Sequence, residues 1–132
     1  MPGFQRVTGP ALPPGTVIGH VHLYVRDIDE ASAFYHNGLG LDRMVWSYPG
    51  ALFMSAGGYH HHLGTNTWAA GAVRAQADDA RLLEWEMVLP GAEHTANAAR
   101  SITSIAGSSV TREGSDWLAT DPWGTVLRIR SN

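Results

Sequence analysis

Two stretches of the chain alternate apolar and polar residues with a period of two, and the other elements are placed around them. In Ile18-Gly19-His20-Val21-His22-Leu23-Tyr24-Val25, the residues Val21, Leu23 and Val25 share one face and His20, His22 and Tyr24 the other. That pattern predicts a half-buried strand whose second face carries chemistry. Leu82 to Leu89 repeats the layout, with Trp85, Met87 and Leu89 opposite Glu84, Glu86 and Val88. After the first strand, Ile28, Ala31, Phe34 and Tyr35 recur at helical spacing; Asp27 or Asp29 can cap the helix, and Asn37-Gly38-Leu39-Gly40 ends it. Arg43 to Ser47 and Ala51 to Ser55 flank the turn signal Tyr48-Pro49-Gly50 and predict a hairpin. Tyr59 to Trp68 predicts a fourth strand, with His60 and His62 on one face and His61 and Leu63 on the other.

The second half follows the same order. Gly91 to Ala106 is helix-compatible, with Ala92, Ala96, Ala99, Ile102 and Ile105 as an approximate apolar stripe and Gly107 as the stop. Val110 to Glu113, Asp116 to Thr120 and Thr125 to Arg130 predict three short strands. The expected fold class is therefore α+β, two tandem βαβββ modules forming one curved, half-open mixed sheet. The first module covers 18–68, a linker covers 69–81, and the second module covers 82–132, the whole forming one domain behind an N-terminal arm at 1–17. Anchors at nearly constant offset support the repeat: His20 with Glu84, Phe53 with Leu118, Gly58 with Gly124, and His62 with Arg128. Helices on the convex side would leave His20, His22, Glu84, Glu86 and one face of the histidine tract in a concave cup.

Composition narrows the chemistry. A formal charge of -3 on 132 residues argues against a large nucleic-acid or anionic-membrane surface, and a small-molecule partner is expected instead. With no cysteine there is no disulfide framework and no thiolate, so any metal must rest on histidine and carboxylate. No signal peptide and no apolar run long enough to span a bilayer is present, from which a cytoplasmic location is expected. Three consecutive histidines, His60, His61 and His62, must place at least one imidazole inward if they lie in a strand, and a buried imidazole needs a hydrogen-bond partner or a metal.

His20-Val-His-Leu-Tyr-Val-Arg-Asp, the tract Ser55-Ala-Gly-Gly-Tyr-His-His-His-Leu-Gly-Thr-Asn-Thr-Trp68, and Asp121-Pro-Trp-Gly124 resemble the vicinal oxygen chelate superfamily. That superfamily includes glyoxalases, bleomycin- and fosfomycin-resistance proteins and extradiol dioxygenases, and the histidine tract is similar to its catechol dioxygenase branch. The resemblance implies metal ligands from the first and fourth strands of each module, which fall on His20, His62, Glu84 and Arg128. Arginine cannot ligate, since it stays protonated and has no lone pair to offer.

Two arrangements follow. In one, His20, His62 and Glu84 hold a divalent metal, Fe(II) or Mn(II) ahead of Zn or Ni, as a set of two histidines and one carboxylate. Arg128, Tyr59 and Asn66 then contact substrate, while His22, His60 and Glu86 are candidates for acid/base work. The expected function is a metal-dependent enzyme, dioxygenase-like or a lyase or isomerase, acting on a small substrate with vicinal oxygens. In the other, Arg128 pairs with Glu84 or Glu86, no metal binds, and the cup holds an antibiotic or metabolite. A homodimer is expected from the resemblance.

Overall fold

The computed structural model describes residues 10–132. Of the expected N-terminal arm, residues 1–9 lie outside the described residues, and 10–17 form no helix or strand. The element order is β1 (Val21–Tyr24), α1 (Ile28–Ala31) widening into a π-helical segment (Ser32–Gly38), β2 (Asp42–Val45), β3 (Ala51–Ser55), β4 (Leu63–Asn66), β5 (Glu84–Leu89), α2 (Ala92–Thr103), β6 (Ser109–Glu113), β7 (Asp116–Thr120) and β8 (Val126–Ser131). The βαβββ order thus occurs twice, and the fold is α+β. Each module closes its own four-stranded mixed sheet, in the order β1-β4-β3-β2 and β5-β8-β7-β6, with the first and last strands of each module parallel.

Local chemistry explains the elements. Asp27 caps α1 by accepting from the Glu30 amide at 2.8 Å. Ala31, Phe34 and Tyr35 are fully buried on the inner side of that helix. Leu23, Val25 and Trp85 bury the inner faces of β1 and β5, as their alternation predicts. The two modules share one core, in which Leu23, Phe34, Tyr35, Leu52 and Leu63 from the first meet Trp85, Ile102, Leu127 and Ile129 from the second. One buried polar link crosses between them: the Tyr35 hydroxyl donates to Asp121 Oδ2 at 2.7 Å. With the helices packed against the inner faces, the opposite faces of β1 and β5 stay exposed, including His20, His22, Tyr24, Glu84 and Glu86.

The histidine tract departs from the expected strand. Gly57 and Gly58 take positive φ, 67° and 76°, and the chain turns through 56–62 before pairing begins. The His62 backbone closes the turn, its amide donating to Met54 O at 2.9 Å and its carbonyl accepting from Val21 N at 2.8 Å, and β4 proper starts at Leu63. Strict two-residue alternation therefore does not govern His60 and His61.

Candidate metal centre

β1 carries His20 and His22 on its exposed face, and the turn before β4 folds His61 over them. One ring nitrogen from each lies within 4.8 Å of those of the other two, and among the described residues this is the one group of three or more histidine, aspartate or glutamate side chains so arranged. His22 Nε2 and His61 Nε2 are 3.3 Å apart. Two nitrogens bound to a common ion at about 2.1 Å each are separated by about 3 to 4 Å, so His22 and His61 already stand at ligand spacing and the widest pair must close by about 1 Å to share a divalent ion. An all-imidazole donor set suits borderline transition metals such as Fe, Ni and Zn. Burial pushes the His61 imidazole below its ordinary pKa, and the charges of His20, His60, His22 and His62 push it further the same way. Its neutral, ligating form is favoured accordingly.

Neighbours hold these rings in place. His60 Nδ1 lies 2.9 Å from His61 Nδ1. When His61 donates from Nδ1 in that contact, its Nε2 lone pair is left facing His22, the usual way an outer partner orients a ligating histidine. Phe53 on β3 meets the His61 and His22 rings edge to face, at 5.0 and 6.1 Å between centroids. Gly64 pairs with His22 across the β1–β4 ladder. A methyl group on Gly64 would stand 2.8 Å from His22 Cε1 and 2.9 Å from Nδ1, closer than packed carbons approach. The bare α-carbon thus seats the imidazole flat on the neighbouring strand.

The strand registers define the internal repeat more closely than residue offsets do. His22 pairs with Gly64, which pairs with Phe53; Glu86 pairs with Arg128, which pairs with Leu118. Arg128 therefore occupies the place of Gly64, not of His62. Where the first module leaves room for a ring, the second fills the space with a guanidinium.

The expected ligand set of His20, His62 and Glu84 does not come together. His62 Nδ1 accepts from the Ala56 amide at 3.2 Å, and its ring packs on Tyr59 at 4.6 Å, because the turn rotates it away from His61. Glu84 is held by Arg128, whose Nε reaches Oε1 at 2.8 Å and whose Nη2 reaches Oε2 at 3.3 Å. The same guanidinium donates to Asp116 at 3.0 Å and Glu113 at 3.2 Å, and these carboxylates raise its already high pKa. Arg128 is thus saturated by three carboxylates and pairs with Glu84, one of its two expected partners. Glu86 meets Arg130 at 3.4 Å. Asn66 is buried with Oδ1 accepting from the Trp68 amide, closing the end of β4. Tyr59 remains partly exposed, stacked on His60 at 4.0 Å. His61, Phe53 and Gly64 are the site residues that alternation alone does not reveal; the paired glycines Gly57-Gly58 before the tract are the signal that its strand starts late.

A methyl at Gly64 has a separable consequence. The clash falls on the free end of an exposed ring, which can swing aside at little cost to folding, and the swing turns the His22 ring off its line to the other two imidazoles without taking it out of their reach. Gly64→Ala is expected to weaken Mn(II) binding by about tenfold, the size of effect seen when ligand orientation is lost. Melting temperature in the presence of EDTA should stay near that of the parent protein. Unchanged Mn(II) affinity, read by calorimetry, would show that Gly64 does not set the position of His22.

The family model described as Glyoxalase/Bleomycin resistance protein/Dioxygenase superfamily matches residues 17–128. Among curated proteins, Catechol-2,3-dioxygenase of Bacillus subtilis (strain 168) is 42% identical over 123 residues, covering 91% of this chain and 42% of its own length. The chain therefore spans less than half of that relative. Among solved structures, lactoylglutathione lyase from Agrobacterium tumefaciens superposes with a TM-score of 0.62 at 15% identity, covering 91% of this chain and 96% of the other. A glyoxalase/bleomycin resistance protein from Albidiferax ferrireducens T118 superposes at 0.67 with 15% identity, covering 87% and 98%. No helix among the described residues is long and apolar enough to cross a membrane. With the doubled βαβββ order, the exposed imidazole face and a family match from the first strand to the last, the chain belongs to the glyoxalase/bleomycin resistance/dioxygenase superfamily, that of the vicinal oxygen chelate fold.

Proposed function

We propose that this chain is a metal-dependent enzyme acting on a small substrate with vicinal oxygens, in the manner of an extradiol dioxygenase. The observation that carries the reading is the convergence of His20, His22 and His61 nitrogens within 4.8 Å on an open sheet face. The likeness to a catechol-2,3-dioxygenase supports the substrate class. A divalent ion held there supplies Lewis-acid polarisation of the two substrate oxygens.

The remaining steps fall to the chain itself. His20, His22 and His61 would hold the ion on a sheet face that substrate can reach. His60 orients His61 by accepting at Nδ1, which places its own proton on Nε2, where it can donate to a substrate oxygen. Phe53 excludes water from the flank of the His22 and His61 rings. Glu84 is committed to Arg128 and is given no part in ligation.

The saturated guanidinium favours a second reading, a metal-free binder, because no carboxylate joins the imidazole cluster. The test is metal analysis of protein made without a polyhistidine tag, followed by anaerobic loading with Fe(II) or Mn(II) and oxygen-electrode measurement with catechol. About one ion per chain and catechol-dependent oxygen uptake are expected. Protein that retains no ion and consumes no oxygen after loading would leave the binder as the better description.

A further inference from the structure

His20, His22, Tyr24 and Arg26 are all exposed, whereas Leu23 and Val25 between them are buried, so the four form one row along a single face. Imidazoles stand at one end of the row, a phenol ring 68% exposed in the middle and a guanidinium at the far end. Beside the row opens a cleft of about 910 Å³, bounded by β1, the 69–82 connection and the turn before β8. His22 lines it, which joins the cleft to the candidate metal centre.

The charge in this cleft is one-sided. Arg26, Arg74 and Arg81 line it against the single carboxylate Glu30, and among the described residues none of the three arginines has a carboxylate within salt-bridge distance. Arg128 and Arg130, by contrast, are paired on the second sheet. Arg74 is held against the bare α-carbon of Gly124, where any side chain would overlap its guanidinium. Guanidiniums that line a concavity without a carboxylate partner are suited to a planar anion, which one of them can bind through two parallel N–H donors.

We propose that the cleft holds a carboxylate carried by the substrate, so that the preferred substrate is an arene diol bearing an acidic side arm. The proposal rests on the reading of the imidazole cluster as the place where the diol docks. Spacing sets the shape of the ligand. From His22 to Arg26 is four residues at about 3.3 Å each, about 13 Å between α-carbons, too long for a bare catechol to touch both ends. An arene with a short acidic arm bridges the interval, with its ring beside Tyr24.

Calorimetry on the full chain with 3-(3,4-dihydroxyphenyl)propanoate and its methyl ester tests this directly, since the ester removes the charge at the cost of one added methyl group. The acid is expected to bind at least about tenfold tighter than the ester, the equivalent of one charge-assisted contact. Arg26→Gln, Arg74→Gln and Arg81→Gln should each weaken the acid several-fold and leave the ester unchanged; all three positions are exposed, so folding is spared. Equal affinity for acid and ester, or equal weakening of both by the arginine variants, overturns the proposal. Oxygen uptake on the Fe(II)-loaded protein separates the two readings. A preference for the acid without oxygen uptake keeps the cleft and removes the dioxygenase. Turnover of catechol with no preference for the acid does the reverse.

Discussion

Replacing His61 by alanine is expected to lower affinity for Mn(II) or Fe(II) by more than about a hundredfold and to abolish metal-dependent activity. Loss of an outer partner typically costs about ten- to a hundredfold in metal affinity, and loss of a ligand exceeds that. The neighbouring positions give a graded series. His60→Ala removes only the contact to His61 Nδ1 at 2.9 Å and should cost about tenfold. His62→Ala should change affinity little, because the His62 ring is turned toward Ala56 and Tyr59. Glu84→Gln should also leave metal affinity unaltered, since its carboxylate is committed to Arg128. Metal titrations of the four variants decide between two ligand sets. If His62→Ala and Glu84→Gln lose the ion while His61→Ala keeps it, the metal is held by His20, His62 and Glu84 and the imidazole cluster is incidental.

The sequence carried the architecture well and the site only in part, and the reason is the same in both cases. Periodicity of two at β1 and β5 and of about 3.6 in α2 reports which face is buried. The core bears that out in Leu23, Trp85 and Ile102. The histidine tract lies outside any regular element, so the rule that assigned His60 and His62 to one face had no ladder to act on until Leu63. Side chains in a turn entered through two glycines of positive φ point where the turn directs. The identity of Arg128 as a non-ligand followed from its chemistry, whereas the choice of Glu84 over Glu86 as its partner did not, since the β5–β8 ladder sets Arg128 opposite Glu86 and the side chain reaches along the strand to Glu84. Its other two partners, Glu113 and Asp116, belong to β6 and β7 and were reachable only once the strand order was known. Gly64 shows the limit most plainly: the absence of a side chain gives no signal in a hydrophobic pattern, yet it makes space for the His22 ring.

Asp121→Ala is expected to cost about 3 kcal/mol or more of folding stability, a larger effect than any substitution among the exposed histidines. Asp121 is only 3% exposed and accepts from the Tyr35 hydroxyl at 2.7 Å and from the amides of Trp123 and Thr125 at 3.0 and 2.9 Å. Removing it strands several donors, each costing about 1–3 kcal/mol when left buried and unpaired, and cuts the polar link between the modules. Tyr35→Phe deletes one bond to that carboxylate and should cost about 1.5–3 kcal/mol, the range for hydrogen bonds to charged groups.

The pH dependence has a definite sign. Burial raises the Asp121 carboxyl above its ordinary 3.8, with the Tyr35 and amide hydrogen bonds opposing the rise. A carboxyl whose folded value is raised favours folding when protonated. That contribution is complete below 3.8, fades as pH climbs through the raised folded value, and is constant above it. Parent protein should therefore lose stability relative to Asp121→Asn across that interval, and Tyr35→Phe should extend the interval upward by removing a bond that favours the ionised form. Urea unfolding from pH 3.5 to pH 7 measures the difference. A gap between parent and Asp121→Asn that stays constant over the whole range would mean that the Asp121 carboxyl titrates alike in the folded and unfolded chain, and that its burial is compensated by the turn amides and the Tyr35 hydroxyl alone.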